Sequence, residues 1–222
     1  MLRLDRVTKR YGVGVFGGTT FTAVRDVSFE VAPGEVVSLI GESGSGKSTI
    51  GKMILKLIPV SEGTITLDGT DIREFSRGRR KEYYRNVQGV FQDPFSCYNP
   101  VFKADRVLRM IKEEYFPRVG RAEWDERVAA ALESVRLAPG AVLGRYPHQL
   151  SGGQLQRLSI AQALLRRPSL LICDEVTSQL DADTEARLLA GLRRELAGCT
   201  TVWITHRPAT VHLADRVVVL DD

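Results

Sequence analysis

Val36-Val37-Ser38-Leu39-Ile40 followed by Gly41-Glu42-Ser43-Gly44-Ser45-Gly46-Lys47-Ser48 decides how this 222-residue chain is read. A mostly apolar run, broken only by Ser38, enters a glycine-rich loop of the form G-x-x-x-x-G-K-[ST], as a buried strand entering a phosphate loop does. A helix is expected next, from Ser48 to about Leu57. Glycines let backbone amides turn inward around phosphates, and the helix start adds positive potential. Lys47 offers a point charge to β- and γ-phosphates, and Ser48 a hydroxyl to magnesium.

A second apolar run, Leu170-Leu171-Ile172-Cys173-Asp174-Glu175, ends in two carboxylates. Open α/β sheets place ligands at such strand ends. Asp174 suits magnesium, and Glu175 suits taking a proton from an attacking water. Gln92 follows a strand ending at Phe91, where its amide can meet magnesium and that water. His206 follows the strand Thr201 to Thr205 and can donate to a γ-phosphate. Taken alone, these two read more readily as a surface glutamine and a structural histidine. Ser151-Gly152-Gly153 opens another helix, presenting amides, a hydroxyl and a dipole to an anion. A second anion-binding helix start in a chain that already has a phosphate loop implies that it completes the site of another copy.

The remaining pattern is ordinary for a globular chain. The hydrophobic share is 43%, the charged share 26% and the net charge +4, a mild basicity that suits phosphate ligands without deciding anything. No run approaches the about 20 apolar residues a spanning helix needs, and Met1 to Asp5 lacks the apolar stretch of a secretory signal. Cys97, Cys173 and Cys199 have no zinc or redox spacing, and their odd number argues against a disulfide frame. Strands are expected at Leu2 to Val7, Val24 to Val31, Gly63 to Leu67, Val87 to Phe91, Leu170 to Cys173, Thr200 to Ile204 and Asp215 to Leu220. Turns fall at Pro33-Gly34 and Asp68-Gly69, and an early loop at Gly12 to Gly18. Arg73 to Arg85, with five arginines and one lysine, reads as a solvated helix face. Helices are expected at Arg106 to Glu114, Glu123 to Val135, Ser151 to about Arg166 and Ala182 to Ala197. Alternating strands and helices imply a mostly parallel sheet, with a helical insert between two of its strands.

In these motifs and their order the chain resembles the ATP-binding cassette (ABC) ATPases over nearly its whole length. Gly41 to Ser48 matches the Walker A motif and Gln92 the Q-loop. Leu150-Ser151-Gly152-Gly153-Gln154 is similar to the signature sequence and Leu170 to Glu175 to Walker B. Ser178-Gln179-Leu180-Asp181 is similar to the D-loop and His206 to the switch histidine. The resemblance implies a P-loop NTPase of α/β class with a mixed sheet, an N-terminal antiparallel β subdomain and an inserted α-helical subdomain. One nucleotide-binding domain would span residues 1–222, with a core and β subdomain at about 1–100 and 151–222 and a helical subdomain at 101–150 that extends into the signature helix. It implies ATP and Mg2+ as ligands. Gly41, Ser43, Gly44, Ser45, Gly46, Lys47, Ser48 and Thr49 would hold the phosphates, and Tyr11 would stack on adenine. Ser48, Gln92 and Asp174 would hold the metal. Glu175, His206, Gln92 and Lys47 would carry catalysis. Two cassettes would close head-to-tail, with Ser151, Gly152, Gly153, Gln154 and Asp181 meeting the partner's nucleotide.

Phe91-Gln92-Asp93-Pro94-Phe95-Ser96-Cys97-Tyr98-Asn99-Pro100 is similar to the dipeptide, oligopeptide and nickel importer ATPases. That resemblance implies ATP hydrolysis driving solute uptake through two separate permease subunits at the cytoplasmic face of the membrane. The second ATPase would be a copy or a paralogue, an extracytoplasmic binding protein would deliver the solute, and no nucleic acid is expected. Val176 stands where most members have proline, and Arg207 where importers usually have aspartate. The ending from Thr201 to Asp222 is closer to an exporter's, and read to Asp222 the chain is expected to be without the extension many peptide importer ATPases carry. An exporter-type ATPase and a soluble non-transport ABC ATPase are the alternatives.

Overall fold

A computed structural model describes residues 1–13, 19–76 and 78–221. In chain order its main elements are β1 (Leu2–Val13), β2 (Thr19–Val31), β3 (Val36–Gly41), α1 (Lys47–Ile54), β4 (Glu62–Leu67), β5 (Thr70–Asp71), α2 (Arg80–Asn86) and β6 (Val87–Val90). They continue with α3 (Arg106–Tyr115), α4 (Arg121–Ser134), α5 (Pro139–Val142), α6 (Gly152–Leu165), β7 (Leu170–Asp174), α7 (Ala182–Glu195), β8 (Thr200–Ile204), α8 (Pro208–Val211) and β9 (Arg216–Leu220). The early loop expected at Gly12 to Gly18 falls largely on residues 14–18, outside the described residues, and Gly12 itself belongs to β1. Arg77 of the charged stretch also lies outside them.

Two compact units divide the chain, one of Met1–Gly89, Ser169–Asp174 and Gly198–Asp222, the other of Val90–Pro168 and Glu175–Ala197. In the first unit, one sheet has the order β2-β1-β4-β5, with β1 antiparallel to both β2 and β4. Its apolar face buries Leu2, Leu4, Val7, Val24, Val31 and Ile65. The hairpin from β4 to β5 turns at Asp68 (φ 50°) and Gly69 (φ 80°), the paired positive angles that tight hairpins need. The other sheet has the order β6-β7-β8-β3-β9, with β3 parallel to β8 and β9, and β7 parallel to β8. Every residue of β7 and β8 is buried, which explains their nearly unbroken apolar sequences. β9 lies at the edge and leaves Val217 and Val219 exposed.

Helix α1 stops at Ile54, short of Leu57. Lys56 takes φ 55°, and its ammonium donates to the carbonyls of Ile72 (2.6 Å) and Phe75 (2.8 Å) beside the rings of Phe75 and Tyr83. Burial lowers the pKa of Lys56, with repulsion from Arg80 adding to it. The charged stretch forms a short helix, α2, whose outer positions Arg80, Lys81, Glu82 and Arg85 are exposed while Tyr83 is buried.

The second unit is helical. Trp124, Val128 and Leu132 bury one stripe of α4, as the sequence spacing predicts. Its α6 is apolar around most of its circumference, burying Leu155, Leu158, Ile160, Ala161, Ala163 and Leu165, so it forms the centre of the unit. Helix α7 approaches α4 closely at Gly191, where a Cβ would stand 2.6 Å from the carbonyl oxygen of Ser134.

Candidate functional site

The phosphate loop of the first unit owes its shape to its glycines. Gly41, Gly44 and Gly46 have φ of 155°, 97° and 87°, which side-chain-bearing residues rarely adopt. A Cβ on Gly46 would lie 2.3 Å from the carbonyl oxygen of Ala23, so β2 closes against the loop at a point where only glycine fits. Lys47 curls back over the loop, donating to the carbonyls of Gly41 (2.9 Å) and Glu42 (2.5 Å) and to Ser45 Oγ (3.1 Å). The loop and its lysine thereby form one polar cradle.

Parallel register brings the other groups of this unit to the same sheet edge. Leu39 pairs with Ile204, which pairs with Asp174, so β3, β7 and β8 end side by side. At that edge Ser48 Oγ donates to Asp174 Oδ1 at 3.0 Å, and Asp174 is 7% exposed. An alcohol oxygen and a buried carboxylate at this distance form the hard-oxygen donor pair that magnesium prefers. Thr49 follows in α1. His206 lies exposed two residues beyond β8. Tyr11 sits on β1 opposite Phe21, its ring exposed and approached by Lys9 Nζ at 5.0 Å from the centroid.

The remaining candidates belong to the second unit. Gln92 Nε2 donates to Glu175 Oε2 at 2.7 Å, joining two residues 83 positions apart. Glu175 holds φ 47°, a left-handed conformation that costs a residue with a side chain about 1 kcal/mol and recurs at functional sites. Ser151 caps α6 in a reciprocal pair, accepting from Gln154 N–H (3.2 Å) while Ser151 N–H donates to Gln154 Oε1 (2.9 Å). The hydroxyl acts there as acceptor and keeps its own proton to donate. Gly153 lies against the 178–181 segment, where a Cβ would be 3.1 Å from Leu180 Cδ2. Arg157 fastens the helix start by donating to the carbonyls of Gly153 (3.1 Å) and Arg136 (2.8 Å), and burial lowers its pKa. Asp181 caps α7 by accepting from Thr184 N–H (2.9 Å), and that bond holds its carboxyl below the usual carboxylate range.

Gln154 and Asp181 are therefore occupied with capping, a task the sequence reading did not give them. That reading also missed Gln156, Ser159 and Gln162 of α6. Gln156 donates to the carbonyl of Phe91 at 3.0 Å, and Ser159 and Gln162 hydrogen-bond Tyr98. Their spacing of three along a helix is the one sequence signal that points to a shared face.

Comparison with known proteins fixes the family. The family model described as ABC transporter matches residues 24–178, and the chain belongs to that family. The oligopeptide transport ATP-binding protein OppF of Haemophilus influenzae is 40% identical over 205 residues, covering 90% of this chain and 61% of that protein. A probable peptide ABC transporter ATP-binding protein of Sinorhizobium fredii is 37% identical over 228 residues, covering 99% of this chain and 64% of its own. The chain thus spans 61% to 64% of the length of these two relatives. Among solved structures, the dimeric bacterial ABC transporter cassette MJ0796 matches with TM-score 0.89 and 29% identity, over 99% of this chain and 94% of its own. The same cassette in a dimeric post-hydrolysis state bound to ADP and Pi also gives TM-score 0.89. The expected α/β class, a P-loop ABC ATPase with an N-terminal antiparallel sheet, is the one observed; where a mixed core sheet was expected, β3, β7, β8 and β9 pair in parallel.

Proposed function

We propose that this chain binds and hydrolyses ATP as the nucleotide-binding domain of an ABC importer, driving uptake of peptides or a related small solute. The observation that carries the reading is the Ser48–Asp174 contact at the mouth of the Lys47 loop. The peptide-import names of the relatives favour import over the exporter and non-transport alternatives.

Gly41, Ser43, Gly44, Ser45 and Gly46 hold the triphosphate through the loop, aided by Ser48 and Thr49 at the start of α1, and Lys47 exchanges its loop carbonyls for phosphate oxygens. Ser48, Asp174 and Gln92 would hold Mg2+, which would supply positive charge to the phosphates. Glu175 takes a proton from the attacking water, which Gln92 orients. His206 donates to the γ-phosphate. Tyr11 stacks on the adenine. Catalysis is mainly positioning and charge stabilisation.

The engine is a head-to-tail pair of cassettes, formed with a second copy or a paralogue. Ser151 donates its hydroxyl, and Gly152, Gly153 and Gln154 turn the start of α6, toward the nucleotide on the partner's loop; Asp181 lies beside them. Residues 1–222 act as one nucleotide-binding domain, with 101–150 as a helical lobe. Among the described residues no helix is long and apolar enough to cross a membrane. In this reading two separate permease subunits, supplied by an extracytoplasmic binding protein, carry the solute, and the chain works at the cytoplasmic face, as the peptide-import names of the relatives suggest. A cavity of 380 Å³ lined by Val101, Phe102, Lys103, Arg106, Arg109 and Tyr146 suits a short permease helix, with Arg106 lying 3.6 Å over Phe102.

Glu175→Gln tests the core of this reading. It is expected to keep ATP binding, to lower turnover about a thousandfold, and to accumulate an ATP-bound dimer in size-exclusion chromatography. Near-normal phosphate release by that variant removes Glu175 as the base. Absence of ATP hydrolysis by the unaltered chain with its membrane partners removes the reading itself.

A further inference from the structure

Both ends of the segment Phe91–Tyr98 are tied to α6. At one end Gln156 Nε2 donates to the Phe91 carbonyl at 3.0 Å. The Gln156 side chain is fully buried, and its Oε1 has no partner among the described residues. At the other end Gln162 Nε2 donates to Tyr98 Oη at 2.7 Å, and Tyr98 Oη lies 3.0 Å from Ser159 Oγ. Ser159 in turn donates to the Leu155 carbonyl at 3.1 Å. Ser159 has one proton and Leu155 takes it, so the Tyr98 hydroxyl donates to Ser159 while accepting from Gln162. The result is a one-way chain, Gln162 to Tyr98 to Ser159 to Leu155. It requires a neutral phenol, and burial raises the pKa of Tyr98 above its ordinary value.

Each end of this tie leads to a functional group. Phe91 precedes Gln92, whose amide meets Glu175 at 2.7 Å. Helix α6 begins at its Ser151 cap, two turns before Ser159. We propose that Tyr98 is a positioning residue, its hydroxyl locking the Gln92 loop onto α6 so that the Gln92–Glu175 pair and the Ser151 cap move as one piece. This rests on the ATP-hydrolysing reading above. In the dimer Gln92 and Glu175 serve the nucleotide on their own chain, whereas Ser151 serves the partner's. The phenol thereby links the two nucleotide sites through a single helix.

The test uses the full chain with Tyr98→Phe, Ser159→Ala, Ser159→Thr and the double variant Tyr98→Phe/Ser159→Ala. ATP turnover is measured over a range of ATP concentrations, and amide hydrogen exchange by mass spectrometry. Tyr98→Phe is expected to lower kcat about tenfold with KM within about twofold, because it displaces the Gln92 loop and leaves the Lys47 cradle intact. Ser159→Ala should act alike, the double variant should be no worse than either single one, and Ser159→Thr should restore turnover. Exchange should quicken in residues 92–98 and stay unchanged in α1. A kcat within twofold of the unaltered chain, additive losses in the double variant, or unchanged exchange in 92–98 overturns the proposal. If the unaltered chain hydrolyses no ATP, the functional reading fails, while the exchange experiment still decides the tie.

Discussion

The two glycine-rich strings use glycine for opposite reasons. In Gly41–Ser48 three glycines hold positive φ angles, and the loop bends as no chain bearing side chains would. In Leu150–Gln154 the glycines belong to a regular helix start with no positive φ, and Ser151 caps it in an ordinary extended conformation. Gly153 is small because Leu180 and the carbonyl of Gln179 lie close by, at 3.1 and 3.6 Å from the site of its absent Cβ. One string is a cradle made by backbone conformation. The other is a bare helix end whose lack of bulk exposes amides and a hydroxyl. A cradle encloses a ligand; a bare end suits a ligand held by something else.

Substitutions separate the two roles. Gly46→Ala should have the largest effect. It forces a Cβ to 2.3 Å from the Ala23 carbonyl at a positive φ, and is expected to cost about 3 kcal/mol in urea unfolding and to abolish ATP binding in calorimetry. Binding retained at near-normal affinity would erase the distinction between the strings. Gly153→Ala should be milder for the fold, because alanine favours a helix by about 1 kcal/mol while the added methyl crowds Leu180. Its unfolding midpoint should barely move and single-chain ATP binding should persist, yet turnover of the dimer should fall tenfold or more. Unchanged turnover breaks the assignment of the second string to a partner's nucleotide.

The smallest expected effect lies in the segment behind that second string. Asp181 titrates below the usual carboxylate range because the Thr184 N–H favours its charged form. Its stabilising effect is complete above the unfolded value of about 4 and is lost as pH falls through the lower folded value. The urea midpoint of the unaltered chain minus that of Asp181→Asn should hold steady from about pH 7 to 5 and shift below about pH 4. A difference independent of pH would show that the carboxylate charge plays no part in capping α7.

Much of this was legible in the sequence wherever one element carried the signal. β8 spans Thr200–Ile204 as its apolar run implies, and α6 starts at its Ser151 cap, where the sequence places a helix start. Longer β1 and β2 were less legible, because bulges between Leu4, Val7, Lys9 and Arg10 interrupt the alternation that marks a strand. The early end of α1 was hidden because Lys56 looks like a good helix residue until its ammonium finds the carbonyls of Ile72 and Phe75. The short helices α5 and α8 each begin at a proline and have too few residues to show a period.

By itself the sequence determined the phosphate loop, the carboxylate-ended strand, the capped helix and their order along the chain. Those depend on local backbone chemistry: glycine's freedom at positive φ, an apolar run that must be buried, a side chain that caps. Tertiary structure alone decided which distant groups meet. Ser48 reaches Asp174 across 126 residues because β3, β8 and β7 run parallel and in register. Gln92 reaches Glu175, and Tyr98 reaches Ser159 and Gln162, because each pair joins segments that only the folded chain brings together. A hydrogen bond forms within about 3 Å, and separation along the chain says nothing about distances that short.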